Sequence, residues 1–294
     1  MRLDEIHLRD PFVYAEDGVY YLYGTRRGEK TKHIPWQGLD GYTSTDLLEW
    51  SDPVECFTRP DDFWADRDFF APEVYRYKGF YYMFASFRAG TQPRCSQILK
   101  SDSPKGPFLP FTDGAITPPG WTCLDATFFV DDNGDPWTAF CHEWTQMRDG
   151  TMDAVELAPD LTRAAGRPVT LFRASDLWKE DAAKFPSRTY VTDGPFLYRS
   201  KTGELFMLWS SARKGYLQVA SRSVSGKLRG PWVDHTVIYA NDSGHGMVFR
   251  TFEGTLAIAL HSPNHPGPQK RLRIYELEDL GHALRVGRQI GGLM

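Results

Sequence analysis

Residues 124–140 read LDATFFVDDNGDPWTAF. An acidic residue leads a short apolar strand, an Asn-Gly pair follows, and a second strand containing aromatic residues completes the unit. Asn-Gly readily adopts the positive φ angles that a two-residue hairpin turn requires. The stretch therefore predicts a β-hairpin whose first strand begins at Asp125.

Four other segments of the chain repeat this pattern of polar residue, strand, turn and strand. Dividing 294 residues by five gives about 59 residues per unit, a period that indicates a propeller or another repeat architecture. The five repeats are residues 9–24, 71–86, 124–140, 192–210 and 244–260, and their leading polar residues are Asp10, Glu73, Asp125, Asp193 and His245.

Further strand candidates follow each hairpin and supply a third and fourth strand per unit. The sequence thus predicts an all-β fold, a five-bladed β-propeller with four antiparallel strands per blade, formed by residues 1–294 as a single domain. An irregular two-sheet sandwich is the alternative. Residues 176–187 resemble a short helical insertion between blades three and four, although a plain surface connector is the favoured interpretation. The added strands are expected within residues 41–50, 96–108, 154–168, 217–232 and 272–286.

Composition excludes several classes of partner. The net charge of −4 shows no basic excess, so nucleic acid is not expected to bind, and no run of 18 apolar residues predicts a membrane span. Residues 1–10 are charged and lack the apolar stretch of a secretory signal, which favours a cytoplasmic protein, although a chain without its leader would look similar. The four cysteines form no Cys-x-x-Cys pair and are expected to be reduced, buried thiols.

The leading polar residues carry the functional signal. The innermost strand of each propeller blade lines the central channel, so residues that begin these strands should converge. Four carboxylates close together raise one another's pKa, and such a set indicates a functional site. Two interpretations remain open at this point: a cation site, or the acid and base of glycoside hydrolysis. The aromatic content of 14% favours sugar, although any single aromatic residue is more typical of the core. The candidates are Trp36, Trp64, Phe69, Phe70, Trp121 and Trp144.

These repeats resemble the family 43 glycoside hydrolases, which are five-bladed propellers that act mainly on arabinofuranosides and β-xylosides. The resemblance covers essentially the whole chain, because five motifs occur in the expected order. The matching motifs are Arg9-Asp10-Pro11, Ala71-Pro72-Glu73, Leu124-Asp125 with Asp131-Asp132-Asn133-Gly134, Gly194-Pro195, and Gly244-His245-Gly246.

The resemblance implies catalytic roles for three residues. Asp10 would be the general base that activates water, and Asp125 would orient the acid and raise its pKa. The general acid of the family is a Glu immediately before Gly-Pro, and this chain has Asp193 there. The shorter side chain withdraws the carboxyl by roughly 1.5 Å, so Glu143 is the alternative acid and Glu73 a second one.

The resemblance also implies a substrate-binding set and an axial histidine. His245 would help to hold an ion such as calcium in the channel, and no cofactor is otherwise required. Arg9 and Arg250 could donate hydrogen bonds to sugar hydroxyls, although each alone is typical of a surface arginine. The expected substrate-binding residues are Glu73, Phe70, Trp144, Glu143 and Arg250.

The sequence thus predicts an exo-acting, inverting glycosidase that releases terminal L-arabinofuranose or D-xylose from oligosaccharides or small glycosides. Inversion predicts that Asp10 and the acid are about 6.5 to 9.5 Å apart, which leaves room for water. Two alternatives remain, a glycoside phosphorylase on a similar propeller and a non-catalytic sugar-binding propeller. The sequence indicates no oligomeric state.

Overall fold

The computed structural model describes residues 1–25, 37–264 and 270–291. Twenty strands form five four-stranded antiparallel sheets, and in each sheet the strands are adjacent in chain order. This arrangement is the predicted five-bladed β-propeller. Blade one consists of β1 (Arg9–Glu16), β2 (Val19–Thr25), β3 (Gly38–Ser44) and β4 (Val54–Thr58). Blade two consists of β5 (Arg67–Tyr77), β6 (Phe80–Arg88), β7 (Cys95–Ser101) and β8 (Leu109–Pro110).

The remaining three blades have the same strand order. Blade three consists of β9 (Cys123–Val130), β10 (Pro136–His142), β11 (Thr151–Glu156) and β12 (Val169–Arg173). Blade four consists of β13 (Asp193–Arg199), β14 (Leu205–Ala212), β15 (Tyr216–Ser223) and β16 (Trp232–Tyr239). Blade five consists of β17 (Gly244–Arg250), β18 (Leu256–Ser262), β19 (Arg271–Asp279) and β20 (Leu284–Ile290).

Helix is scarce in the described residues. Two short α-helices, α1 (Trp144–Met147) and α2 (Lys179–Lys184), lie in loops after β10 and β12. The second falls within residues 176–187, between blades three and four. No helix among the described residues is long and apolar enough to cross a membrane.

The hairpin turns follow from their sequences. In the turn between β5 and β6, Lys78 has a φ of 48° and Gly79 a φ of 89°, the positive angles that match the twist of the flanking strands. Asp17 and Gly18 do the same between β1 and β2 with φ of 51° and 77°. These turns set the register that directs one face of each strand into the contacts between blades.

The aromatic residues mostly pack the blades against one another. Between blades one and two, the rings of Phe57, Phe63, Phe69 and Phe87 form a continuous cluster of edge and stacked contacts. Burying one such side chain contributes about 2–3 kcal/mol. The aromatic content therefore reports mainly this packing. As expected, the four cysteines are unpaired and buried.

A β-bulge interrupts every inner strand near its first residues. In each blade two residues of the inner strand oppose one residue of the second strand. The first residue of each pair, hereafter the bulge residue, has a φ between 46° and 58°. The five bulge residues are Asp10, Ala71, Asp125, Gly194 and His245.

A hydrogen bond from each bulge residue ties its blade to the preceding one. We call the place of the usual acceptor the clip position. It lies on the second strand of the preceding blade, where it pairs with the inner-strand residue that comes just before the bulge residue of that same blade. At four of the five interfaces the bulge N–H donates to a side chain there, and the last of these bonds joins blade one to blade five. The bonds are Ala71 to Thr25 Oγ1 at 2.7 Å, Asp125 to Ser86 Oγ at 2.9 Å, His245 to Ser210 Oγ at 2.7 Å and Asp10 to His261 Nδ1 at 3.2 Å.

Candidate active site

The bulges place the predicted catalytic residues at one end of the channel. Asp10, Asp125 and His245 are bulge residues themselves, whereas Asp193 precedes the bulge residue of blade four and Glu73 lies two residues beyond that of blade two. The five leading residues therefore do not occupy equivalent positions. Non-glycine residues at positive φ are strained, and such strain clusters at functional sites.

His245 lies at the centre of three carboxylates. Its Nδ1 is 3.2 Å from Asp10 Oδ1, 3.7 Å from Asp125 Oδ2 and 4.0 Å from Asp193 Oδ1. Burial alone would lower the pKa of His245, but the charges of Asp10, Asp193 and Glu73 raise it above its ordinary value. The raised pKa favours the protonated imidazolium, whose positive charge offsets part of the negative charge of the carboxylates.

Asp10 is the carboxylate that these surroundings hold in its ionised form. Burial would raise the pKa of Asp10, but the positive charges of His245 and Arg9 and the short contact with His245 Nδ1 hold that pKa well below its usual range. Below it lies His261, whose Nδ1 accepts the Asp10 N–H. Burial lowers the pKa of His261 to about 4, so this imidazole is neutral and suited to accept. An ionised Asp10 can act as a base.

Asp125 and Asp193 form a coupled pair with opposite shifts. Burial, then the neighbouring Asp193, raises the pKa of Asp125 well above its ordinary value. Burial also opposes the charge on Asp193, but its hydrogen bond with Asp125, the His245 charge and the Tyr216 hydroxyl lower its pKa. Two close carboxyls do not both ionise readily, so the pair shares one proton. The side chain of Asp193 is 20% exposed, against 9% for Asp10 and 5% for Asp125, and it is the member most open to a ligand.

The spacing of base and acid is compact. Asp10 Oδ1 and Asp193 Oδ1 both lie within 4.0 Å of the same His245 nitrogen. These two oxygens are therefore at most about 7 Å apart, an upper bound that reaches only the lower edge of the roughly 6.5–9.5 Å expected for inversion, so inversion stays a prediction.

A cation site at His245 stays a prediction. Single donor atoms of Asp125, Asp193 and His245 lie within 4.8 Å of one another, and carboxylate oxygens with water suit a calcium ion. These residues thus fit a cation, but His245 Nδ1 must first lose its proton. The ion and the imidazolium are alternative sources of positive charge in the same place.

Glu73 lies beneath this cluster without joining it. Its Oε2 accepts a 2.5 Å hydrogen bond from the Tyr75 hydroxyl, which also contacts Thr127 Oγ1 at 2.8 Å. Burial raises the pKa of Glu73 to about 7. The hydroxyls of Tyr75 and Thr127 and the charge of His245 lower this pKa, but their effect is smaller than that of burial. The side chain is 5% exposed, so its surroundings favour a role in the channel interior over direct contact with sugar.

Glu143 is committed to other partners. It forms an ion pair with Arg94 Nη1, and its Oε2 accepts a 2.9 Å hydrogen bond from Thr145 Oγ1. Burial raises the pKa of Glu143, while the Arg94 charge acts in the opposite direction. Arg94 also binds Asp68 Oδ2 at 2.7 Å and lies over the half-buried ring of Phe70, 5.4 Å from its centroid. This network separates Glu143 from the shared proton of the catalytic pair.

The other predicted substrate-binding residues divide into two groups. Trp144 is 36% exposed and follows β10 at the same sheet end as Asp125. By contrast, Arg250 is at the opposite end of β17 from His245 and its Nη1 donates to Gly254 O. A strand rises about 3.3 Å per residue, so the backbone of Arg250 lies roughly 17 Å from that of His245 along the strand. This position does not favour sugar contact near His245, and the predicted role of Arg250 stays a prediction.

The aromatic candidates also divide between site and core. Trp121 stacks on His142 with ring centroids 4.1 Å apart, beside the end of β10. Phe69 is buried in the core, and Trp64 donates to Gln97 Oε1 at 2.6 Å. Trp36 lies outside the described residues.

Three residues of the cluster were not predicted from the sequence. Arg9, expected at the surface, has a largely buried side chain, and its Nε is 3.7 Å from Asp10 Oδ1. The Tyr216 hydroxyl donates to Asp193 Oδ2 at 2.7 Å, and its ring stacks on His261. Both Tyr216 and His261 belong to second or third strands, where nothing in the repeat pattern marks them.

Comparisons with known proteins identify the family. The family described as "Glycosyl hydrolases family 43" matches residues 5–279. An "Extracellular exo-alpha-(1->5)-L-arabinofuranosidase ArbA" from Cellvibrio japonicus is 25% identical over 274 residues, covering 84% of this chain and 72% of that protein. The structure of an endo-arabinase from Bacteroides thetaiotaomicron is 38% identical with a TM-score of 0.84, over 95% of this chain and 96% of the other.

A third comparison supports the fold alone. A thermostable family 43 glycoside hydrolase superposes with a TM-score of 0.84 at 22% identity, over 99% of this chain and 96% of the other. The family match spans nearly the whole chain, and the blades of this chain bring the carboxylates together. This protein therefore belongs to the glycosyl hydrolases of family 43.

Proposed function

We propose that this glycoside hydrolase cleaves L-arabinofuranosyl linkages, with Asp10 as general base, Asp193 as general acid and Asp125 as the residue that positions the acid. One observation carries the proposal: carboxylate oxygens of Asp10, Asp125 and Asp193 all lie within 4.0 Å of the same His245 nitrogen. The lowered pKa of Asp10 and the raised pKa of Asp125 favour one ionised and one protonated carboxyl group in this set. Glycoside hydrolysis needs one carboxyl in each protonation state.

The base half of the reaction uses Asp10. Its carboxylate accepts a proton from a water molecule as the water oxygen bonds to the anomeric carbon. Arg9 and His245 stabilise the ionised form of Asp10, and the N–H bond to His261 fixes the backbone. A substrate that excludes bulk water from the channel strengthens these charge interactions.

The acid half uses the proton shared by Asp125 and Asp193. In the unliganded cluster that proton resides on Asp125, because the pKa of Asp125 is raised and that of Asp193 lowered. Transfer along their hydrogen bond gives Asp193 the proton, which it donates to the leaving oxygen as the glycosidic bond breaks. Ionised Asp125 is then stabilised by the Gly194 N–H, which lies 3.1 Å from its Oδ2.

The choice of Asp193 over Glu143 rests on their partners. Asp193 accepts a hydrogen bond from the Tyr216 hydroxyl, lies 4.0 Å from His245 Nδ1 and is more exposed than Asp125. By contrast, Glu143 is bound by Arg94 and Thr145. Donating a proton from Glu143 would require its ion pair with Arg94 to break.

The substrate class follows from the relatives rather than from the cluster. Two arabinose-releasing or arabinan-cleaving proteins support an arabinofuranosyl substrate, and D-xylosides are the alternative. We propose that sugar rings stack on Trp144 and Trp121 at the end of blade three. Cleavage from the chain end remains our proposal, since the relatives include both exo-acting and endo-acting enzymes.

A substrate panel tests the proposal. Nitrophenyl α-L-arabinofuranoside, nitrophenyl β-D-xyloside and α-1,5-arabinohexaose are incubated with the enzyme in phosphate-free buffer. We expect hydrolysis of the arabinose substrates, with arabinose as the first product from the hexamer; intermediate oligomers would indicate endo cleavage. A requirement for phosphate and release of a sugar phosphate would instead identify a phosphorylase.

The variant for this experiment is Asp10→Asn, because asparagine tolerates the positive φ at that position. We expect turnover to fall by about 10²–10⁴-fold while binding of the hexamer, measured by calorimetry, is retained. A wild-type protein that binds sugars but hydrolyses none of the three would overturn the proposal and leave a sugar-binding propeller. Proton NMR of the released sugar tests inversion through the anomer formed first.

A further inference from the structure

One of the five blade interfaces lacks the usual clip bond. Between blades three and four, Cys141 occupies the clip position. It pairs with Leu124, the residue before the bulge of blade three. Ser86 pairs in the same way with Phe70 in blade two. The Cys141 thiol is fully buried and lies 3.6 Å from Met152 Sδ. A thiol sulfur is a weak acceptor compared with a hydroxyl. This interface therefore offers the bulge N–H of blade four no strong acceptor at the clip position.

The Gly194 N–H makes a different bond instead. It donates to Asp125 Oδ2 at 3.1 Å, so it binds the carboxylate of the preceding blade's bulge residue instead of the clip side chain. Once Asp125 has passed its proton to Asp193, the acceptor of this bond is ionised, and such a bond is about twice as strong as one between neutral groups. Because Gly194 directly follows Asp193, this bond joins Asp125 to the backbone that carries the proposed acid.

We propose that Cys141 is a positioning residue for catalysis: by withholding a hydroxyl acceptor at the clip position, it leaves the Gly194 N–H to hold the Asp125 carboxylate against Asp193. The inference rests on the proposed roles of Asp125 and Asp193. It assigns to Cys141 a function that needs neither thiol reactivity nor contact with substrate.

The local geometry supports this assignment. Gly194 has a φ of 49°, and a Cβ there would lie 2.7 Å from the His245 ring, so this position requires glycine and keeps its N–H close to the catalytic cluster. At two equivalent positions serine hydroxyls accept the bulge N–H at 2.9 and 2.7 Å. Serine is no larger than cysteine, so a serine at position 141 fits the site and offers the N–H the same acceptor.

The experiment compares Cys141→Ser with Cys141→Ala. Serine supplies the acceptor, so we expect the Gly194 N–H to turn from Asp125 to the new hydroxyl. The freed carboxylate then loses its fixed position, and kcat falls about tenfold with KM within twofold of wild type. Alanine supplies no acceptor, so Cys141→Ala is expected to keep a near-wild-type kcat although it removes buried volume.

Stability provides the contrast with a purely structural role. Cys141→Ala leaves a small cavity and should lower Tm, whereas Cys141→Ser forms an additional hydrogen bond and should keep Tm close to wild type. Activity and stability are thus expected to change in opposite directions in the two variants. If the alanine variant loses kcat as much as the serine variant, or the serine variant keeps wild-type kcat, the inference is wrong.

A spectroscopic measurement makes the test independent of substrate. With ¹⁵N-glycine and ¹³C-carbonyl aspartate labelling, the glycines that follow an aspartate are selected, the Gly194 amide resonance is identified as the one lost from this set in Asp193→Asn, and it is followed in each Cys141 variant. We expect the Gly194 amide resonance to move in Cys141→Ser, as its acceptor changes from the Asp125 carboxyl group to a hydroxyl, and to move much less in Cys141→Ala. Cys141→Thr provides a second hydroxyl if the serine variant folds poorly.

Failure of the inference and failure of the proposed function give different results. If Asp125→Asn retains full activity, the role proposed for Asp125 is wrong whatever Cys141 does. If Asp125→Asn is inactive and the Gly194 resonance is unmoved in Cys141→Ser, only the role of Cys141 is wrong.

Discussion

The Nδ1 atom of His245 lies 3.2 Å from Asp10 Oδ1, and the two residues occupy bulge positions in the last and first blades. The contact crosses the closure of the ring, next to the bond from the Asp10 N–H to His261. Closure of the propeller and ionisation of the proposed base therefore depend on the same few atoms. A single imidazolium both lowers the pKa of Asp10 and faces the Asp125–Asp193 pair.

His245→Asn should impair the enzyme most at low pH. Asparagine tolerates the positive φ of this position but removes a positive charge beside Asp10. The pKa of Asp10 then rises, so the ionised base is lost at a higher pH as the solution is acidified. We expect kcat/KM to fall roughly tenfold at pH 5 and less at pH 7, measured as a pH profile. The exposed His282→Asn is the control, and a profile with an unmoved acidic limb would contradict this role.

Asp193→Asn tests the acid. We expect kcat on arabino-oligosaccharides to fall by about 10²–10⁴-fold. A dinitrophenyl arabinofuranoside should lose far less, because its leaving group departs without a proton. Glu143→Gln is the matched comparison and should retain most activity on both substrates. The reverse pattern, with Glu143→Gln impaired on oligosaccharides alone, would transfer the role to Glu143.

The repeats predicted the fold because each hairpin carries its own turn chemistry, which is local in sequence. The site was predicted less completely because a bulge adds one residue to a strand without a mark in the sequence. Asp193 lies one residue before the bulge residue of its blade and Glu73 lies two residues after its own, so aligning the leading polar residues did not give their register relative to Asp10. Arg250 was included among the candidates because polar residues at both ends of an inner strand look alike in the sequence. Tyr216 could not be found, since its role depends on contact across blades.

Glu73→Gln should stabilise the protein increasingly as pH rises. Folding raises the pKa of Glu73 from about 4.5 to about 7. The folded state therefore binds more protons than the unfolded state in this range, and this group costs stability as pH increases from 4.5 to above 7. Glutamine has no such dependence and still accepts the Tyr75 hydroxyl. We expect the Tm difference from wild type to grow by several degrees between pH 5 and pH 8, equivalent to about 3 kcal/mol. The exposed Glu253→Gln should show no trend.

Removal of divalent cations should leave most activity intact. The His245 imidazolium supplies positive charge where a cation would bind, and its raised pKa favours that form near neutral pH. We expect dialysis against EDTA to change kcat by less than twofold at pH 6. Added calcium should matter more at pH 8, where His245 deprotonates more readily. Loss of activity at pH 6 that calcium restores would show instead that the ion is the required charge.

Thr25→Val should destabilise the protein without slowing catalysis. Thr25 Oγ1 accepts the Ala71 N–H at 2.7 Å across the interface of blades one and two, and valine has the same shape without the acceptor. A buried N–H left without a partner costs about 1–3 kcal/mol, which should lower Tm by roughly 2–10 °C. Ala71 carries no functional group, so kcat should stay within twofold of wild type.

Ser86→Ala removes the equivalent acceptor of the Asp125 N–H and should reduce both Tm and kcat. Equal kcat losses in the two variants would mean that the clip bonds act on the ring as a whole rather than on the residues they hold.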